Sequence, residues 1–158
     1  MSNNNSNGRE DRLENDLFFV CSVIEYIGRT TKNKRGGVAL KLGKAEISRL
    51  LELADVLHCE PVEAVAGELA ARLGITCGDF DNVAMCEYNV PTHFDIAKVY
   101  KRLIISLAER QSSGLADTLI QVYTSWISEK IDDYNSSMYF ESPQYLYASY
   151  IAGEPIAD

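Results

Sequence analysis

The chain is poor in the residues that most often carry chemistry near neutral pH. It has two histidines in 158 residues, which leaves few general bases. Its four cysteines, at 21, 59, 77 and 86, have no short regular spacing, so no closed zinc site with ligands two to four residues apart is spelled out. Long apolar runs are missing too. The longest, Leu17 to Ile27, is interrupted by Ser22 and Glu25 and falls short of the ~20 residues that span a bilayer. No membrane association is expected. The Asn/Ser-rich start, Met1 to Gly8, has no apolar core and does not read as a secretory signal. Reduced thiols in a cytoplasm are the expectation. Strand signals are weak, and no internal repeat is apparent.

What is present is ordinary for a globular domain. Apolar residues make up 46% and charged residues 24%. Lys plus Arg number 15 against 23 Asp plus Glu, a formal net charge of −8. That balance argues against a uniformly basic coat on nucleic acid. A chain of this length buries roughly two-thirds of its unfolded surface and needs no disulfides to fold.

The pattern predicts an all-α fold, a compact bundle of five to six helices. Residues 1–12 read as a disordered lead-in, 13–152 as a single helical domain and 153–158 as a tail. The first helix, about 14–29, carries Leu17, Val20, Cys21, Ile24 and Ile27 at helical spacing. Phe18, Phe19, Val23 and Tyr26 widen its stripe almost all the way round, as in a central helix. Glu25 stands four residues before Arg29 and is expected to pair with it. Thr30 to Gly37 reads as a loop, and 38–42 as a short strand or helical turn. A second helix starts near Lys44 and a third at Pro61. Residues 75–91 have no period and read as a long ordered loop with a short helical turn; loops of that length usually have a role. Thr92 and Asp95 approximate a capping box for a helix to Arg110. A fifth helix is expected over 115–134, with Trp126 in the core. A last one starts at Ser142-Pro143.

Each chemical motif falls short. The second and third helices suggest a helix-turn-helix around residues 52–61. The would-be recognition helix carries Glu63 and Glu68, and acids facing phosphates oppose binding. Gly37 to Lys44 has one residue too many for a phosphate loop, and Ala45 stands where a hydroxyl should bind magnesium. His58-Cys59 and Cys77, Cys86, His93 have metal-ligand chemistry without metal-ligand spacing. Cys21 and Cys59 are expected in the core. Cys86 and His93 lack a third member for nucleophilic catalysis. No catalytic residue, metal or cofactor is assigned.

Two biases remain. Arg29, Lys32, Lys34 and Arg35 place four positive charges in seven residues of an acidic chain. Together with Lys98, Lys101 and Arg102 on the fourth helix they are the candidate macromolecule-binding residues. Six aromatic rings crowd into 134–150, and Tyr139, Phe140 and Tyr145 are the candidate interface aromatics. The expected function is non-enzymatic: a regulatory or inhibitory module that binds a protein partner through charged helix faces. A nucleic-acid-binding regulator using the basic loop is the alternative, and a small-ligand-binding protein or enzyme the second. A homodimer is among the expected partners.

Overall fold

The computed structural model describes residues 3–157, with side chains from Asp11 to Ala157. Eight α-helices follow one another among the described residues: α1 (Asn3–Thr31), α2 (Arg35–Leu57), α3 (Val62–Arg72), α4 (Asn82–Met85), α5 (His93–Gln111), α6 (Leu115–Tyr123), α7 (Trp126–Ile131) and α8 (Pro143–Ala152), with a 3-10 turn at Met138–Phe140. No strand occurs among them. The lead-in expected over 1–12 falls on Met1 and Ser2, outside the described residues, and on the first turns of α1.

Helix α1 is the central element. Leu17, Phe19, Val20, Cys21, Val23, Ile24 and Ile27 are all buried, and α2, α3 and α5 pack around it. Each large aliphatic side chain so buried contributes about 1.5–3 kcal/mol of hydrophobic transfer. Helix α5 adds Ile96, Tyr100, Leu103, Ile104 and Leu107 to the same interior. Its start is the capping box read from Thr92 and Asp95: Thr92 Oγ1 accepts from the Asp95 N–H at 3.0 Å, and Asp95 accepts from the Thr92 N–H at 2.9 Å. Ser142 likewise caps α8, accepting from the Tyr145 N–H at 3.1 Å.

Three boundaries differ from the sequence reading. The loop expected over 30–37 shrinks to three residues, because α2 already begins at Arg35. Residues 38–42 are helical, and Gly43, at φ +74°, kinks α2 close to the expected second start. Gly36 is what lets this early segment form. A Cβ there would stand 2.6 Å from the Tyr123 carbonyl oxygen, so only glycine permits α2 to lie this close to the end of α6. The fifth helix breaks in two at Thr124-Ser125. Their hydroxyls donate to the carbonyls of Ile120 and Val122 at 2.6 and 2.7 Å, competing with helical bonding. Trp126, expected in the core, opens α7 and is only partly buried against it. Cys59, also expected in the core, is exposed in the turn after α2, whereas Cys21 is buried.

Candidate functional site

The basic cluster read from Arg29 to Arg35 does not form a surface patch. Arg35 sits in the first turn of α2 with none of its side chain exposed. Its guanidinium reaches Glu25 with Nε 3.4 Å from Oε1, so the partner of Glu25 is Arg35 and not Arg29. The Arg35 Nη1 donates to the Asn33 carbonyl at 2.9 Å, and Nη2 donates to Asn82 Oδ1 at 3.0 Å and to the Tyr134 hydroxyl at 3.5 Å. Gly28 makes this passage open, since a Cβ at that position would collide with the Arg35 side chain.

Around this centre lies a closed polar network. The Tyr123 hydroxyl donates to Glu25 Oε2 at 3.0 Å. The Tyr100 hydroxyl donates to Asp132 Oδ1 at 2.8 Å and shares a 2.7 Å hydrogen bond with Ser128. Asn82 Nδ2 donates to the Asp132 carbonyl at 3.0 Å. The rings of Tyr100 and Tyr123 stack with centroids 3.9 Å apart. Six helices and the segment after α7 therefore converge on one buried guanidinium and two buried carboxyls. Burial pushes the Glu25 carboxyl up to about 8 against the pull of Arg35. Burial likewise pushes Asp132 up to about 6 against Arg35 and the Tyr100 hydrogen bond. For Arg35, burial opposes the charge, but Glu25, Tyr134 and Asp132 outweigh it and raise its affinity for its proton. Buried groups so satisfied hold elements together.

Arg29, Lys32, Lys34 and Lys101 each have a local contact. Arg29 Nη2 donates to the Pro91 carbonyl at 2.8 Å and to the Tyr134 hydroxyl at 3.2 Å. Lys32 is in the left-handed region at φ +56°. Its side chain pairs with Asp81 at 3.7 Å, and its carbonyl accepts from the Phe80 N–H at 2.9 Å. Lys34 pairs with Glu129 at 3.9 Å. Lys101 lies over the Phe18 ring at 5.9 Å, and Phe18 is thirteen residues before Thr31 on α1, about 20 Å along its axis. Lys98 and Arg102 are on the same helix as Lys101. Lys101 thus lies well down α1 from Lys32 to Arg35, whereas Arg29 and Lys98 both act on the Asp95 carboxyl. On α2 and α3, Arg49 and Arg72 both bond the Glu46 carboxylate, at 2.5 and 2.7 Å, which holds that carboxyl below its ordinary range.

Among the clefts at the described surface, three hold charged side chains named above or a histidine. One of about 470 Å³ is walled by Lys32, Lys34, Lys41, Asp79 and Phe80. The next, of about 370 Å³, shares Lys34 and Phe80 with it and is bounded by Tyr123, Glu129 and Asp132. The first sets three lysines against one acid, and the second one lysine against two acids. The third, also about 470 Å³, lies between α1 and α2 and carries Asp16, Asp55 and His58 beside Phe19 and Phe94. Burial and then Asp55 raise the Asp16 carboxyl. His58 Nδ1 is 2.8 Å from the Ala54 carbonyl. His93 packs edge-on against Tyr26, with centroids 5.3 Å apart, and burial lowers its proton affinity. The Cys86 thiol donates to the Tyr88 carbonyl at 3.4 Å. Among the described residues, no three His, Cys, Asp or Glu are arranged to hold a metal ion.

The prominent surface feature lies on the long loop before α5 and on the 3-10 turn. Met85, Tyr88, Val90 and Phe140 are 62%, 69%, 40% and 67% exposed. Their backbone is fixed from below. The Asn135 side chain accepts from the Glu87 N–H at 2.8 Å and donates to the Met85 carbonyl at 2.9 Å. Arg29 ties Pro91 to Tyr134, the residue next to Asn135. The Tyr139 ring packs on Tyr134 at 5.9 Å, and Phe140 packs on Tyr139 at 4.9 Å. Glu87 and Asp133 are exposed beside these rings, and Glu141 is half-exposed. Of the candidate interface aromatics, Phe140 is thus exposed and Tyr139 half-buried. Tyr145 is turned to the tail, where its hydroxyl donates to the Ile156 carbonyl at 3.2 Å. Met85, Tyr88 and Val90 were missed in the sequence because they follow no period; the length of the loop was the only signal.

Among the described residues no helix is long and apolar enough to cross a membrane. No family model, curated protein or solved structure matches this chain.

Proposed function

We propose that the protein is a non-enzymatic binding module, regulatory or inhibitory in role, that docks a protein partner through Met85, Tyr88, Val90 and Phe140. The observation that carries this reading is the exposure of Met85, Tyr88 and Val90 on a segment clamped by Asn135 and Arg29, with Phe140 exposed on the 3-10 turn that follows Asn135. Exposed apolar groups on ordered backbone lose little conformational entropy when covered, which favours binding. The acids at their edge, Glu87, Asp133 and Glu141, fit a partner segment with apolar anchors and basic flanks. We prefer this face to the basic loop, because Arg35 is buried and Lys32 and Lys34 each lie near an acid of the chain itself.

The test is site-specific photocrosslinking in extract of the native cell. A benzophenone side chain at position 88 should give a discrete crosslinked protein product. That product should disappear in a Met85→Ser/Phe140→Ser background, whose melting temperature stays near that of the unaltered protein because both side chains are exposed. A benzophenone at position 98, on α5, should give none. Equal products from positions 88 and 98, or none from 88, would overturn the reading.

A further inference from the structure

Besides the Asn135 and Arg29 bonds to its backbone, the segment that carries Met85, Tyr88 and Val90 sends a polar side chain of its own inward: Asn82, which is buried and bonded on both sides. Its amide oxygen accepts from Arg35, and its amide nitrogen donates to the Asp132 carbonyl. That anchor belongs to a group of three ionisable side chains whose charges do not balance. One guanidinium, Arg35, faces two carboxyls, Glu25 and Asp132, and all three are buried. With both carboxyls ionised, the interior carries one net negative charge, which is costly away from water. A single proton held by either carboxyl brings the group to zero.

We propose that this buried group is a proton-operated latch on the docking surface: protonated, it holds Asn82 and keeps the 82–91 segment ordered; deprotonated, it releases that segment. The idea rests on the docking role proposed above, whose regulation it names. The groups that face the two carboxyls are Cys21 and Arg29 on α1, Arg35 on α2, Tyr100 on α5, Tyr123 on α6, Glu129 on α7 and Tyr134 after it. Arg35 is the one cation in direct ion-pair contact with Glu25. Arg29 is committed to Pro91 and Tyr134. Neither tyrosine hydroxyl supplies a charge, since burial raises both Tyr100 and Tyr123 well above the ordinary phenol range. The proton therefore comes from and returns to solvent. Its loss draws Arg35 toward the carboxylates and water toward the charge, and either movement competes with the Asn82 contact.

Native-state hydrogen exchange reads this directly. After correction for intrinsic rates, protection at the Met85, Cys86 and Glu87 amides should fall about 10-fold more than at Ile104 in α5 between pH 6 and pH 9. In Glu25→Gln, which keeps the hydrogen-bonding shape and balances the charge without a proton, that extra loss should shrink below about twofold. Asp132→Asn balances the charge in the same way and serves if Glu25→Gln does not fold. A loop-to-Ile104 ratio that stays constant with pH, or one that falls equally in the balanced variants, overturns the latch. Photocrosslinking from position 88 at pH 6 and pH 9 separates the two ideas. A pH-dependent exchange ratio with no crosslink at either pH leaves the latch standing and removes the docking role. A crosslink with a constant ratio does the reverse.

Discussion

Replacing Arg35 with methionine removes a charge and keeps most of the volume. The methionine occupies the path of the arginine stem past Gly28, so the cavity left behind is small. The loss is electrostatic. Glu25 and Asp132 remain buried without a cation, and Asn33 O and Asn82 Oδ1 lose their donors. Removing one partner of a buried ion pair costs about 3–5 kcal/mol, because the surviving charge is uncompensated. For a protein of this size each kcal/mol lowers the melting temperature by about 2–4 °C, so a fall of about 6–20 °C is expected. The penalty has a sign in pH. Glu25 holds its proton more tightly folded than unfolded, so its stabilising contribution is complete below about pH 4.5 and is lost as pH rises toward about 8. Without Arg35 that preference grows, and Arg35→Met should be more destabilising at pH 8 than at pH 5. The double variant Arg35→Met/Glu25→Met should be more stable than Arg35→Met alone, since it removes the orphaned charge. The control is Lys34→Met, one residue away in sequence and exposed; it should stay within about 0.5 kcal/mol of the unaltered protein. Urea denaturation followed by circular dichroism measures all four. If Arg35→Met and Lys34→Met unfold alike, Arg35 is a surface residue and the buried network is wrong.

Two neighbouring glycines offer a second comparison by thermal melting. Gly36→Ala forces a Cβ against the Tyr123 carbonyl oxygen and should cost about 1–3 kcal/mol. Gly37→Ala, where a Cβ meets nothing within 4 Å, should instead stabilise by up to about 1 kcal/mol through helix propensity. Trp126→Ala, only partly buried at the start of α7, should lose about 1–3 kcal/mol, below the range for a fully buried tryptophan; a larger loss would place the indole deeper than it lies here.

The parts of the fold legible in the sequence are those set by local rules. The stripe on α1, the Thr92–Asp95 box and the Ser142-Pro143 start each depend on residues within one or two turns, and each is found where the spacing puts it. The misreadings at Glu25, at residues 35–37 and over 82–91 involve partners farther along the chain, while the break at Thr124-Ser125 is local. Glu25 looks paired with Arg29 at helical spacing, but Arg35, ten residues on, reaches it because α1 ends in a left-handed residue and α2 turns back. Residues 35–37 read as the end of a loop because two adjacent glycines disfavour helix, and only the approach of Tyr123, 87 residues after Gly36, shows why one is required. The 82–91 segment has no period because its order comes from Asn82, Asn135 and Arg29 side chains. Such bonds leave no mark in a hydropathy pattern.

Charge counted along a chain and charge presented on a surface are different quantities, and residues 29–35 show why. A connection of three residues between two helices sends successive side chains in different directions, so four cations in a row of seven cannot share one face. Here the first faces the loop backbone at Pro91, the second and third meet Asp81 and Glu129 outside, and the fourth is drawn inside to Glu25. Each acid that a cation meets is no longer free for a partner, but the acids outnumber the cations by 23 to 15. The excess is negative, and Glu87, Asp133 and Glu141 beside the exposed rings belong to it. A basic loop in the sequence therefore ends as scaffolding for a surface whose own field favours a basic partner.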